Sequence, residues 1–221
     1  VRLRKALRSN GPINGALGTN QIYFGRYTSA TPGEGAVPKG RQAFNKQKRR
    51  RAGRRLLDSE NVWTRTSDLV SAGEPEEILF EVSKPDSPEI LTRWDMQADP
   101  PDILITNYSM LNVMLQRERE EDMFVSTKRW LDSSESHVLT LVVDELHTYR
   151  GTPGTEVSLM LRKFMNRLGL SPDSPKVRCV ATSASLEGGS GNFASEFFSQ
   201  PEESFNIITG QPVPLGPRKT L

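Results

Sequence analysis

The sequence is poor in cysteine, in long apolar runs and in net charge. Its 221 residues include a single cysteine, Cys179, so no disulfide can form within the chain. This favours a reducing compartment, and we expect a cytoplasmic protein. No apolar run approaches the roughly 20 residues that a membrane-spanning helix needs, which predicts no membrane partner. The net charge is only +2, so the charge of the whole chain does not indicate nucleic-acid binding.

Two ligand-binding patterns are also missing from the sequence. The phosphate-loop pattern G-x-x-x-x-G-K-[ST] does not occur, and the Gly-rich stretch at 187–192 lacks the Lys-Ser/Thr that would follow it. Zinc prefers His and Cys ligands, of which the chain has only two and one. A metal hydrolase that uses Asp144, Glu145 and His147 is still an alternative, and a metal assay without ATP would test it.

Positive charge is concentrated in one segment. Nine Lys or Arg residues lie between Lys39 and Arg55, and no acidic residue follows until Asp58. Such a segment can contact phosphates and gain affinity by releasing counterions from nucleic acid. It can equally be a solvated insertion helix, since Phe44 is its only aromatic residue for base stacking. The sequence leaves both interpretations open.

Continuous apolar runs predict an α/β fold. The runs at 103–106, 137–143 and 176–186 are not alternating, a pattern typical of parallel strands that are covered on both faces. Residues 22–28 have strand composition as well, whereas the Pro- and acid-rich stretch 70–100 is expected to be mostly irregular.

A helix is predicted between the last two strands. Thr152 can cap it, Pro153 suits its first turn, and Gly169 can end it. Its apolar stripe has helical spacing and consists of Val157, Met160, Leu161, Phe164 and Leu168. Strand, helix and strand together predict a βαβ crossover.

Polar residues follow these strands where ligands bind in open α/β sheets. Asp144 and Glu145 end the second apolar run, and His147 comes two residues later. The third run ends in hydroxyl side chains, namely Thr182, Ser183 and Ser185. In a parallel sheet these ends should lie side by side, together with Thr106. Each pattern alone is also compatible with an ordinary charged strand end or a turn.

The combination resembles the superfamily 2 helicases of the DEAD/DEAH-box kind. "DELH" (144–147) matches their Asp-Glu-x-His motif, and "SAS" (183–185) stands where they carry Ser-Ala-Thr. "ILITNYSML" (103–111) and "GRYTSATP" (25–32) are similar to their nucleic-acid-contacting regions. The longer strings at 92–115 and 144–164 look closest to the bacterial YprA- or MrfA-like branch, which carries a C-terminal domain of unknown function.

The resemblance implies a role for each matching residue. Asp144 would hold Mg²⁺ through water, Glu145 would activate the attacking water, and His147 would join them in catalysis. His147 would also act with Ser183 and Ser185 to couple ATP hydrolysis to strand movement. Thr106 and Asn107 would contact the nucleic-acid backbone, although Asn107-Tyr108 departs from the usual Thr-Pro or Pro-Gly pair.

The resemblance also implies a domain organisation and an activity. Residues 1–210 would form part of a RecA-like first lobe, a parallel sheet flanked by helices that is incomplete on its phosphate-loop side. A basic and irregular insertion would occupy about 31–100, and 211–221 would lead to a second RecA-like lobe. The full-length protein would be an ATP-dependent helicase acting on DNA rather than RNA, while this chain alone would be inactive. A non-catalytic, helicase-like binding or scaffold module is the alternative.

Overall fold

The computed structural model of the chain describes residues 2–8, 16–17, 20–33, 35, 46–84, 87–184 and 190–210. Short parallel sheets flanked by helices make it an α/β structure, which confirms the predicted class and is consistent with a RecA-like fragment. The described strands form two sheets instead of the single predicted sheet. Each sheet lies in one of two compact units, Val1–Arg129 and Trp130–Leu221.

The first unit contains a three-stranded parallel sheet. Its elements are α1 (Arg2–Arg8), β1 (Phe24–Tyr27), α2 (Lys46–Ser71), β2 (Glu89–Ile90), α3 (Arg93–Ala98), β3 (Ile103–Thr106), α4 (Tyr108–Gln116) and the start of α5 (Glu121–Asp132). The strand order is β2-β1-β3, and β1 pairs with β3 so that Tyr27 lies opposite Thr106. The predicted strands at 22–28 and 103–106 are thereby confirmed.

The expectation of a mostly irregular stretch at 70–100 is wrong in part. A 3₁₀ helix (Glu76–Phe80) is followed by β2, which adds to the edge of β1, and then by α3. The α3 helix begins at a regular cap, because the Thr92 hydroxyl accepts a hydrogen bond from the Asp95 amide at 3.1 Å. Two-residue strands and six-residue helices are too short to give a periodic signal in a sequence.

The basic segment is helical over the part that the structure describes. The long helix α2 begins at Lys46, while residues 36–45 and the side chains of 46–53 lie outside the described part of the chain. Both interpretations of the segment therefore remain predictions. None of the helices in the described ranges has both the length and the apolarity that crossing a bilayer requires.

A buried polar cluster links Tyr27 of β1 to Gln97 of α3 and to Glu120. Tyr27 is completely buried, and its hydroxyl donates to Glu120 Oε1 at 2.7 Å. The Gln97 side-chain amide donates to the Tyr27 hydroxyl at 2.6 Å. Glu120 is 1% exposed, and its Oε2 atom has no hydrogen-bond partner among the described residues. Desolvation raises the pKa of Tyr27 far above its ordinary value, and the bond to Glu120 raises it further.

The second unit is built around the predicted βαβ crossover. Its elements are β4 (Leu139–Val143), a 3₁₀ helix (Leu146–Tyr149), α6 (Thr152–Arg167), β5 (Val177–Ala181), α7 (Ser190–Phe198) and a short 3₁₀ turn (Glu202–Ser204). Strands β4 and β5 pair in parallel, with Val143 opposite Ala181. Gly169 follows the end of α6 with a φ of 75°, which confirms the predicted stop.

Two expectations about this unit are corrected. The N-cap of α6 is Gly151 rather than Thr152, with a φ of 74° that a β-branched residue would adopt only under strain. Among the described residues, the β4–β5 sheet is covered on one face only, since burial alternates along β4. Val142 is 67% exposed and Val180, its register partner, is 43% exposed.

Candidate functional site

The predicted polar residues of the second unit meet at the carboxyl ends of β4 and β5. Because the two strands are parallel and in register, the chain leaves both of them at the same edge of the sheet. The Thr182 amide donates to the Val143 carbonyl at 3.0 Å, and the Leu146 amide donates to the Thr182 carbonyl at 2.8 Å. The backbone segment that carries Asp144 and Glu145 is thus hydrogen-bonded directly to the end of β5.

Thr182 contacts both carboxylate-bearing residues with one hydroxyl group. The hydroxyl donates to Asp144 Oδ1. It also accepts a hydrogen bond from the Glu145 amide, with 3.2 Å between nitrogen and oxygen. The sequence predicted that this hydroxyl would lie beside Asp144 but gave it no function, because a strand followed by Ser and Thr is common.

Glu145, which carries the second of the two adjacent carboxylates, has an unusual backbone conformation. Glu145 has a φ of 53° and a ψ of 49°, the left-handed conformation that non-glycine residues seldom adopt. Its carbonyl accepts hydrogen bonds from the Thr148 amide at 2.9 Å and from the Thr148 hydroxyl at 2.8 Å. A strained residue that is held by its neighbours is a feature of functional sites. The Glu145 side chain is 55% exposed and accessible to water.

His147 lies between the two strand ends. Its Nδ1 atom is 3.2 Å from Glu145 Oε2 and 3.2 Å from Ser183 Oγ. Because both contacts use the same nitrogen, Nδ1 can donate to Glu145 when it is protonated or accept from Ser183 when it is not. A serine-hydrolase triad needs the two ring nitrogens to serve different partners, so these three residues do not form one.

The 3₁₀ helix that follows Glu145 is fixed by close packing on α6. The Gly154 amide donates to the Gly151 carbonyl at 3.0 Å in the first turn of α6. A Cβ atom on Gly154 would lie 1.7 Å from the Tyr149 carbonyl oxygen, a distance too short for any side chain at this position. Leu146 is completely buried and anchors the other end of this segment.

The remaining sequence-predicted residues lie elsewhere or outside the described chain. Ser185 falls outside the described residues. Thr106 and Asn107 belong to the first unit, at the end of β3. The Thr106 hydroxyl donates to the Tyr27 carbonyl at 2.8 Å, and Asn107 Oδ1 caps α4 by accepting from the Met110 amide at 2.8 Å. Contact of these two residues with nucleic acid therefore stays a prediction.

The donor set of the site fits magnesium. Mg²⁺ keeps several waters and takes one or two carboxylates, and the Asp144 carboxylate is exposed to solvent. Nucleotide phosphates fit less well, because the 221 residues contain no phosphate-loop motif. Within the described ranges, no group of three or more His, Cys, Asp or Glu side chains could hold a metal ion directly.

Comparison with known proteins gives two similar chains and no matching family model. The Druantia protein DruE of Escherichia coli (strain UMEA 4076-1) is 46% identical over 105 residues, which is 48% of this chain and 6% of DruE. The crystal structure of the DUF1998 helicase MrfA matches 90% of this chain and 31% of that chain, with 13% identity and a TM-score of 0.37. The chain thus spans a small part of the length of DruE and about a third of MrfA.

Proposed function

We propose that the chain is part of an ATP-dependent nucleic-acid helicase or translocase. The observation that carries the proposal is the hydrogen-bonded junction at the ends of β4 and β5. There Thr182 bonds to Asp144 and to the Glu145 amide, while His147 lies 3.2 Å from Ser183. A junction of this kind supports both parts of the function, a hydrolytic site and a link from that site to the neighbouring strand.

The roles follow from the chemistry of each group. Mg²⁺ would neutralise charge on the phosphates of ATP when both are bound. Asp144 would hold that ion through water, and the Glu145 carboxylate would accept a proton from the attacking water. Asp144 and Glu145 are adjacent residues with exposed side chains, so one carboxylate can serve the metal while the other serves the water. His147 would pass a change at the Glu145 carboxylate on to Ser183 through its Nδ1 contacts. Ser185 would extend this coupling along the chain.

Nucleic acid is the proposed partner, DNA rather than RNA. Thr106 and Asn107 would contact its backbone. The complete motor would need a phosphate loop and a second RecA-like lobe, and it would work in the cytoplasm. A non-catalytic helicase-like module is the second candidate, and a phosphate loop in the full-length protein would decide against it.

The test is Glu145→Gln in the full-length protein. The substitution keeps the shape of the side chain and removes the group that accepts the proton. We expect ATP binding to be retained and hydrolysis to fall by a factor on the order of 10²–10⁴. Binding is measured with a fluorescent ATP analogue and turnover by phosphate release, with and without single-stranded DNA.

Glu156→Gln is the matched control. Glu156 is exposed on α6 and belongs to the same unit, so its replacement makes the same change of charge outside the site. Hydrolysis by the control should equal that of the wild type. If Glu145→Gln hydrolyses ATP at a near-normal rate, Glu145 is not the base. A wild-type protein that binds DNA but not ATP would instead support the non-catalytic module.

A further inference from the structure

We propose that Thr182 is a positioning residue that orients both carboxylate-bearing residues of the site. The inference rests on the proposed function, which assigns Asp144 to Mg²⁺ and Glu145 to the attacking water. Neither residue holds its observed conformation by its own intrinsic preference. Asp144 has an exposed side chain, and Glu145 has a left-handed backbone.

The chemistry of a hydroxyl group allows Thr182 to serve both residues at once. A hydroxyl offers one donor and two acceptor positions. The donor of Thr182 is directed to Asp144 Oδ1, and an acceptor position takes the Glu145 amide hydrogen at an N···O distance of 3.2 Å. The bond to Asp144 selects one orientation of its carboxylate. The bond to the amide supports the strained backbone of Glu145.

The Thr182 backbone, which carries this hydroxyl, directly follows β5 and is itself held by hydrogen bonds. The Thr182 amide and carbonyl are both bonded to the segment around Asp144, through Val143 and Leu146. A side chain on a fixed backbone can restrain its partners before any ligand binds, which lowers the cost of ordering them later. Groups that orient a metal-binding carboxylate in this way change metal affinity by about 10–100-fold when they are removed.

The test compares Thr182→Val with Thr182→Ser in the full-length protein. Valine keeps the branched shape and lacks the hydroxyl, whereas serine keeps the hydroxyl. Thr155→Val is the matched control, because the Thr155 hydroxyl is exposed on α6 and lies 3.5 Å from the Gly151 carbonyl, outside the site. If Thr182→Val fails to fold, as judged by its melting curve, Thr182→Ala gives the same comparison without a branched side chain.

Three quantities are measured on each variant. Hydrogen exchange of the peptide that covers 143–149 reports the Glu145 amide in the ligand-free protein. Electron paramagnetic resonance with Mn²⁺ and a non-hydrolysable ATP analogue gives the metal affinity. Steady-state kinetics give kcat and KM for ATP.

Loss of the hydroxyl should affect all three. In Thr182→Val we expect faster exchange at Glu145, Mn²⁺ affinity lowered by about 10-fold or more, and a fall in kcat with a smaller change in KM. Thr182→Ser and Thr155→Val should stay within about 2-fold of the wild type, well below that range. Unchanged exchange in Thr182→Val, or faster exchange with wild-type Mn²⁺ affinity and kcat, would overturn the positioning role. A wild-type protein without ATP turnover would overturn the proposed function, while the exchange and Mn²⁺ measurements would still decide the role of Thr182.

Discussion

At the scale of single residues, the structure places polar side chains where their hydrogen bonds decide their chemistry. In the first unit, the buried carboxylate of Glu120 is bonded to the Tyr27 hydroxyl and lies 3.4 Å from the Gln97 amide. In the second unit, the exposed carboxylates of Asp144 and Glu145 are organised by Thr182. Burial makes the Glu120 cluster important for stability, whereas exposure leaves Asp144 and Glu145 free to meet ligands.

The buried cluster gives a prediction for Tyr27→Phe. The substitution removes the donor at 2.7 Å from Glu120 Oε1 and leaves a buried carboxylate less satisfied. A hydrogen bond to a charged group contributes about 1.5–3 kcal/mol, so we expect the free energy of unfolding to fall by about that amount. Urea titration of the full-length protein at neutral pH would measure it.

The pH dependence of the free energy of unfolding gives a second test of Tyr27→Phe. Folding raises the pKa of Tyr27, so the folded state disfavours the phenolate. Stability should therefore decline as the pH rises above the ordinary tyrosine pKa of about 10, and Tyr27→Phe should flatten that decline. Tyr23→Phe is the control, since Tyr23 is 47% exposed and should show neither effect. Equal behaviour of the two variants would mean that the cluster does not stabilise the fold.

At the scale of elements, the contact of α6 with the preceding 3₁₀ helix controls the loop that carries the site. Gly154→Ala should disrupt it, because the new Cβ would lie 1.7 Å from the Tyr149 carbonyl oxygen. Alanine normally favours a helix by about 1 kcal/mol relative to glycine, so a loss of stability here would be opposite to the usual sign. We expect a loss of about 1–3 kcal/mol, as for other overpacked sites.

Gly210→Ala is the control for this element, since a Cβ there meets open space. Chemical denaturation gives the stability of both variants, and hydrogen exchange over 143–149 shows whether the site moves. If Gly154→Ala is as stable as the wild type, the close contact does not constrain the loop.

The same region shows which elements a sequence can predict. The β4–α6–β5 crossover was predictable, because its apolar runs and helical stripe extend over many residues. The cap at Gly151 was missed, since Thr152-Pro153 gives an equally good capping pattern one residue later. The left-handed Glu145 could not be foreseen, because nothing in its residue type indicates that conformation. The meeting of Asp144 with Thr182 followed from parallel pairing, but the shared hydroxyl required coordinates.

At the scale of the whole molecule, the candidate site in the second unit would need a phosphate loop to act on ATP. The predicted metal-binding and water-activating groups are close together, and no phosphate-loop motif occurs among the 221 residues. We expect the purified 221-residue chain to hydrolyse no ATP, because the γ-phosphate has no cradle of backbone amides and lysine. Phosphate release should equal the buffer background. The full-length protein in the same assay is the control, and turnover by the chain that Glu145→Gln abolishes would contradict this expectation.

The exposed face of the β4–β5 sheet should affect how the isolated chain behaves in solution. Val142 and Val180 lie side by side in water, and each of the two strands has one edge without a partner strand among the described residues. Open strand edges and exposed apolar side chains attract other chains, while a net charge of only +2 provides little mutual repulsion. Concentrated solutions of the isolated chain will therefore tend towards aggregation, and dilute, low-temperature handling will preserve it, because hydrophobic attraction weakens on cooling.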